Sequence, residues 1–218
     1  MSTVKLIQGD CLDVMRDMGD KSVDFGFVDP PYNVNKDYGI YKDNLPEKEY
    51  FIWCEKWINE LKRICKTFAV YPPKKHLLWF WNQLPDHYQI ICAWSPEGAI
   101  RSNFIHQYIP LLVPNKPLKR TKDHWWNVQV SGLGYYYREE KFDHPGQTSL
   151  DITGRIINAF TNIGDTVLDC FSGIGTTGHY CVTHNRNFIG IEIDEGYFKI
   201  AQERIRVAQM QPNLFGGV

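Results

Sequence analysis

The sequence predicts an α/β fold: an open, mostly parallel sheet with helices on both faces. Three observations carry this. Short, almost wholly apolar runs of strand length alternate with longer runs whose apolar residues recur at helical spacing. The strand-like runs lack the in–out alternation of a sheet with one wet face, so both faces should be covered. Two of these runs end in turn chemistry of the kind that open α/β sheets place beside their ligands.

Taken in order, Val4–Ile7 and Val23–Val28 are strand-length runs bounded by turn residues. Between them Cys11–Met18 reads as a short helix, with Asp10 able to serve as its N-cap. Glu47–Lys66 places Phe51, Cys54, Trp57, Ile58, Leu61 and Cys65 on one stripe and reads as a helix. Phe68–Tyr71, Tyr88–Trp94 and Ile105–Val113 read as strands. Ser149–Phe160 reads as a helix capped by Ser149. A strand over Thr166–Cys170, a helix over Thr177–Thr183, a strand over Asn187–Ile193 and a helix over Glu195–Gln209 follow. In the last helix Tyr197, Ile200, Ala201, Ile205 and Ala208 form one apolar stripe. There is no internal repeat, and 218 residues suit a single domain over 1–218.

Composition narrows the class of function. Hydrophobic residues are 43% and charged residues 22%, which suits a packed globular core and excludes disorder along the whole chain. No apolar run reaches the length of a membrane span, and Met1 to Val14 lacks a secretion signal, so a cytoplasmic location is expected. The cysteines Cys11, Cys54, Cys65, Cys92, Cys170 and Cys181 show no C-x-x-C spacing and read as reduced thiols, with no metal site expected. The net charge of −1 means that any nucleic-acid contact must be made by a local basic patch. The segment 96–143 supplies one. Between Lys116 and Lys141 it holds six Lys/Arg against three acids, with Trp125-Trp126 and Tyr135-Tyr136-Tyr137 interleaved. Read from composition alone, this is a loop layer around an aromatic minicore in preference to a base-stacking surface.

Two constellations carry chemistry. The strand Val23–Val28 runs directly into Asp29-Pro30-Pro31-Tyr32-Asn33. Two prolines cannot continue a central strand, so the chain turns and leaves Asp29 and Tyr32 at the carboxyl end of the sheet. That arrangement suits attack by the exocyclic amine of a base. Such an amine is a poor nucleophile, because its lone pair is delocalised into the ring. The Asp29 carboxylate and the Pro30 carbonyl could each accept one N–H and draw the nitrogen toward tetrahedral geometry. Tyr32 could stack on a base taken out of the helix. Without such a substrate the same residues are simply a rigid turn with an exposed tyrosine. The second constellation is the strand ending in Asp169, followed by Cys170-Phe171-Ser172-Gly173-Ile174-Gly175-Thr176-Thr177-Gly178. Its glycines let a ligand approach the backbone, and Glu192 closes the next strand, where an acid grips a ribose diol. The alternative is a tight βα turn with no nucleotide.

In this order the pieces resemble the β group of S-adenosylmethionine-dependent DNA amino-methyltransferases. Those enzymes carry Asp-Pro-Pro-Tyr first, then a target-recognition segment, then His-Pro-x-Gln-Lys-Pro, Asp-x-Phe-x-Gly-x-Gly-Thr-Thr and Gly-x-Glu. Here the motifs stand at Asp29–Tyr32, the basic segment, His144–Ser149, Asp169–Thr177 and Gly190–Glu192, after an opening Gly9-Asp10-Cys11. The resemblance implies a Rossmann-like methyltransferase sheet with a circularly permuted motif order. Residues 1–95 would be the catalytic half, 96–143 a short target-recognition segment, 144–209 the cofactor-binding half and 210–218 a tail. It also implies roles. Asp29 and Pro30 would orient the target amine and Tyr32 would stack the base. Asp169, Phe171, Gly173 and Gly175 would wall the methionine and ribose of the cofactor, and Glu192 would hold the ribose hydroxyls. Asp10 and Cys11 would meet the adenine edge, and His144 to Ser149 would close over the methionine carboxylate. Lys119, Arg120 and Lys122 would bind double-stranded DNA. Thr148-Ser149 stands where the family has Lys-Pro, so the contacts of that lysine are not carried over.

The expected activity is adenine-N6 methylation of DNA, of the restriction-modification kind. The alternative is cytosine N4, where relatives more often carry Ser-Pro-Pro-Tyr. A nicotinamide dehydrogenase on the same glycine turn would leave Asp29–Tyr32 without a task, and a non-catalytic DNA-binding protein would have no use for either constellation. The tail residues Gln211, Leu214 and Phe215 resemble the Gln-x-x-Leu-Phe peptide that docks on bacterial sliding clamps, which makes the clamp an expected partner. Folding of Leu214 and Phe215 back onto the protein's own core is the equal alternative.

Overall fold

Strands buried on both faces need helices on both sides, and the computed structural model of the chain supplies them. It describes residues 2–100, 105–119, 124–125 and 148–210. The elements are β1 (Val4–Gln8), α1 (Cys11–Arg16), β2 (Val23–Val28), β3 (Asp37–Tyr38), β4 (Tyr41–Lys42), α2 (Glu47–Ile64), β5 (Cys65–Val70), α3 (Leu77–Gln83), β6 (Tyr88–Ile100), β7 (Ile105–Pro114) and β8 (His124–Trp125). After these come α4 (Leu150–Phe160), β9 (Thr166–Asp169), α5 (Thr176–Thr183), β10 (Asn187–Glu192) and α6 (Glu195–Met210).

Among the described residues eight strands form one sheet in the order β1-β10-β9-β2-β5-β7-β6-β8, and β3 and β4 form a separate hairpin. The five strands from β1 to β5 are mutually parallel. β7 turns against β5 and pairs with β6 as an antiparallel ribbon. The sequence expectation of a mostly parallel sheet therefore holds.

Two cores sandwich the sheet. On one face Phe25, Phe27, Val167 and Phe188 pack with Ile152, Ile156, Phe160 and Ile205 from α4 and α6. Phe25 and Phe160 stack with ring centroids 5.4 Å apart. On the other face Val23, Val28, Val70, Leu168 and Ile191 pack with Met15, Trp57, Ile58 and Leu61 from α1 and α2. Phe27 and Val28 of β2, and Val167 and Leu168 of β9, are neighbours that serve opposite cores, which is why both members of each pair are apolar.

Three local results differ from the sequence expectation. The helix expected to reach Lys66 stops at Ile64, and β5 starts at Cys65 with no loop between them. α3 and the β3–β4 hairpin have no counterpart in the sequence expectation. α3 has only seven residues, four of them Leu or Trp, too short for a periodicity to stand out. Among the described residues no helix is long and apolar enough to cross a membrane.

Candidate active site

Four parallel strands deliver one acid each to the carboxyl edge of the sheet. β2 ends at Val28 and gives Asp29, and β9 ends at Asp169. β10 ends at Glu192, and β1 is followed by Asp10. These strands are neighbours in the order β1-β10-β9-β2. At about 4.8 Å per strand, the row spans roughly 14 Å. That length suits an elongated ligand lying across the strand ends.

Asp29 sits at one end of this row. Both carboxylate oxygens accept hydroxyl hydrogen bonds, from Tyr32 at 2.9 Å and from Thr148 at 2.6 Å. Burial pushes its carboxyl up to about 6, while the bonds from Thr148 and Tyr32 and the charge of Lys36 pull it back. Burial and the Asp29 charge hold the Tyr32 phenol well above its ordinary range, so it stays a neutral donor. Each Asp29 oxygen keeps a second lone-pair direction. Behind Tyr32 stands Tyr71, ring centroids 6.1 Å apart and edge-on.

The loop after Tyr32 is anchored by a residue that the sequence reading missed. Asp43 is 2% exposed and accepts backbone N–H bonds from Asn33 at 2.6 Å, Val34 at 3.0 Å and Lys36 at 3.0 Å. Its own carbonyl accepts from Asn35 N–H at 2.7 Å. A buried carboxylate thus organises the chain that follows the double proline. No periodicity or motif marks such a residue in the sequence.

The glycine-turn side is equally well built. Asp169 accepts from the Thr177 hydroxyl at 2.6 Å and from the Phe171 N–H at 3.1 Å. Burial pushes its carboxyl up to about 7, and the nearby Asp29 and Glu192 charges add to the rise against those two bonds. Glu192 accepts from the N–H groups of Gly173 at 2.7 Å and Asp194 at 2.9 Å, and burial raises its carboxyl too. Gly175 precedes α5 with φ +77°, and a Cβ there would come 2.9 Å from that of Ala201, so only glycine fits this turn. Phe171 packs at 5.5 Å from the rings of both Trp53 and Trp57. Together with Tyr41, 5.4 Å from Trp53, they form an aromatic wall.

Asp10 and Ser149 are placed as helix caps. Asp10 accepts from Leu12 N–H at 2.8 Å and Ser149 from Asp151 N–H at 3.2 Å. Cys11 is buried, which holds its thiol up, so its backbone N–H and not its sulfur is the group suited to a ligand. His144, Arg120, Lys122, Gln211, Leu214 and Phe215 lie outside the described residues.

Lys119 is described, and it stands far from Asp29. The N–H groups of Leu118 and Lys119 both bond the carbonyl of Ala159. Ala159 is near the end of α4, whose first turn begins beside Thr148 and Asp29. Nine residues of helix put it about 14 Å further on, toward the amino edge of the sheet. The antiparallel run of β7 against β5 carries the chain there.

Fold and site together define a DNA amino-methyltransferase. The chain belongs to the N6/N4 DNA methylase family, which it matches over residues 23–71 and 67–203. It is similar to the DNA adenine methyltransferase YhdJ of Escherichia coli K12, with 26% identity over 93% of this chain and 83% of that one. Two solved structures share the fold. The M1.HpyAVI–SAM complex superposes with a TM-score of 0.70 and 22% identity over 93% of this chain and 99% of that one. The PvuII cytosine-N4-specific DNA methyltransferase superposes with a TM-score of 0.74 and 14% identity over 99% of this chain and 89% of that one.

Proposed function

We propose that the protein transfers a methyl group to the N6 amine of adenine in double-stranded DNA, using S-adenosylmethionine. The observation that carries this is the pairing of Asp29, at the end of β2, with the row of acids that leads away from it along the strand ends.

The chain's own residues fit that cofactor. The hydroxyl of Ser172, buried in the glycine turn, has no hydrogen-bond partner among the described residues and is available to a ligand. Glu192 has lone pairs left for a ribose diol. Burial holds Asp169 and Glu192 above their ordinary range, with the Asp29 and Glu192 charges adding to the rise at Asp169, and a cationic ligand would favour their ionised forms. When bound, S-adenosylmethionine supplies an electrophilic methyl carbon on a positively charged sulfur. The M1.HpyAVI structure, solved as a SAM complex, supports the same choice.

At the catalytic end Asp29 is ionised above a pH of about 6 and accepts one N–H of the target amine. The Pro30 carbonyl accepts the other. Both bonds strengthen as the nitrogen gives up conjugation and its lone pair becomes available, so they favour the transition state over the bound base. Tyr32 supplies the stacking face, with Tyr71 behind it.

Aspartate at the head of the Asp29–Tyr32 motif and the likeness to YhdJ support adenine; cytosine N4 is the alternative chemistry for the same site. The test is incubation of unmodified plasmid DNA with the protein and S-adenosylmethionine, followed by sequencing that reports modified bases. N6-methyladenine at a defined short sequence is expected. N4-methylcytosine instead would transfer the reading to the alternative, and unmodified DNA would end it.

A further inference from the structure

Among the described residues Arg186 and Arg204 are buried, and the chemistry above uses neither. A buried guanidinium is costly unless its donors find acceptors. Arg186 bonds the far ends of α4 and α5, through Asn158, Thr161 and the carbonyl of His184. Arg204 bonds the other end of α5, where the glycine turn lies. It shares the buried side of α6 with Ala201, Ile205 and Ala208, so a cation stands on an otherwise apolar stripe. Its Nη1 donates to the Thr176 hydroxyl at 3.0 Å and to the Ile174 carbonyl at 3.4 Å. These two residues flank Gly175, the left-handed residue that leads into α5.

The same stretch of α6 leaves the turn no room. Gly175 lies directly against Ala201, and a Cβ on Gly178 would run into Ile205 and Phe188. Gly173 and Gly175 sit at φ +50° and +77°. Glycine gives the chain that conformation and also the freedom to leave it, so the turn needs to be held. Toward the strand ends it is held by Glu192, which accepts from the Gly173 N–H at 2.7 Å, and by Asp169, which accepts from the Thr177 hydroxyl at 2.6 Å. Both acids belong to the cofactor site under the proposed function. Arg204 holds the same turn from α6.

We propose that Arg204 is a positioning residue for the cofactor: by fixing Ile174 and Thr176 it keeps the turn from Ser172 to Gly175 in its ligand-binding shape. It acts through the turn and not on the cofactor. A site already held in its bound shape has less freedom to lose on binding, and binds more tightly for it. This rests on the cofactor reading above.

The measurement is calorimetric binding of S-adenosylmethionine and of S-adenosylhomocysteine to wild type, Arg204→Met, Thr176→Val and the double variant. Arg204→Met keeps the apolar stem, removes the donors and should weaken both ligands by about tenfold. The factor should be the same for both, because the turn has changed and the sulfonium is not contacted. Thr176→Val keeps the side-chain shape, removes one acceptor and should weaken both by about threefold. The double variant should bind no more weakly than Arg204→Met, since the two changes break the same bond. Arg204→Lys should recover part of the loss through a single donor. KM for DNA should stay as in wild type. Losses that simply multiply in the double variant overturn the proposal while DNA methylation stands. So does a lower melting temperature for Arg204→Met with wild-type cofactor affinity. If Arg204→Met does not fold, Thr176→Val and Arg204→Lys decide, and wild-type affinity in both overturns the proposal. Absence of S-adenosylmethionine binding by the wild type overturns the cofactor reading as well.

Discussion

Thr148 is the residue whose effect the sequence hides best. It occupies the place where the family carries lysine, and its hydroxyl lies 2.6 Å from Asp29. A lysine there would set a full positive charge beside the carboxylate. A threonine offers only one hydrogen bond, so Asp29 stays up at about 6. The bond favours the ionised form, and its loss should raise the carboxyl further. On the proposed mechanism methyl transfer needs the ionised form, so the rate should climb with pH through about 6 in wild type. In Thr148→Val the same climb should move up by about one pH unit, the equivalent of ~1.4 kcal/mol, with most of the rate recovered at high pH. A pH–rate profile under saturating DNA and cofactor reads this. A uniform loss at every pH, with the rise unmoved, would mean that Thr148 only supports the fold. Asp29 itself was legible from its place between an apolar strand and two prolines. Thr148 was legible only as a departure from a motif, because the bond it makes spans 119 residues.

At the level of elements, β2, β9 and β10 could be read from sequence because a strand buried on both sides has one composition along its length. The loop between β2 and α2 could not. Its shape is held by Asp43, through three backbone N–H groups seven to ten residues back in the chain. The β3–β4 hairpin in the same stretch pairs only two residues on each side. Asp43→Ala should therefore release the loop that sets Tyr32 while leaving the glycine turn intact. The expected result is a fall in kcat of up to ~10²-fold, the scale of a misplaced reacting group, with S-adenosylmethionine affinity close to wild type. Stopped-flow turnover and calorimetry on the same preparation separate the two. Parallel loss of both would place Asp43 in the general stability of the molecule.

Across the whole molecule the sheet acts as a ruler. Four neighbouring parallel strands deliver Asp10, Glu192, Asp169 and Asp29 to one edge, and α4 delivers Thr148 to the same end. The order of these residues in the chain says nothing of that row until the strand order is known. Lys119 shows the converse: its basic neighbours in the sequence predict a DNA contact, and the antiparallel β7 carries it toward the edge opposite Asp29. Charge in a sequence locates a patch along the chain and not on the surface. On the proposed function one edge of the sheet is divided between two tasks: Asp29 acts on the target amine, and Glu192 with the glycine turn holds the cofactor. The most direct test measures methyl incorporation into DNA and S-adenosylmethionine affinity together, in wild type, Asp29→Ala and Glu192→Ala. Asp29→Ala should lose at least ~10²-fold in transfer with cofactor affinity nearly unchanged. Glu192→Ala should weaken cofactor binding by roughly 1.5–3 kcal/mol. Equal transfer by Asp29→Ala and wild type, or loss of cofactor binding in Asp29→Ala with none in Glu192→Ala, would contradict that division.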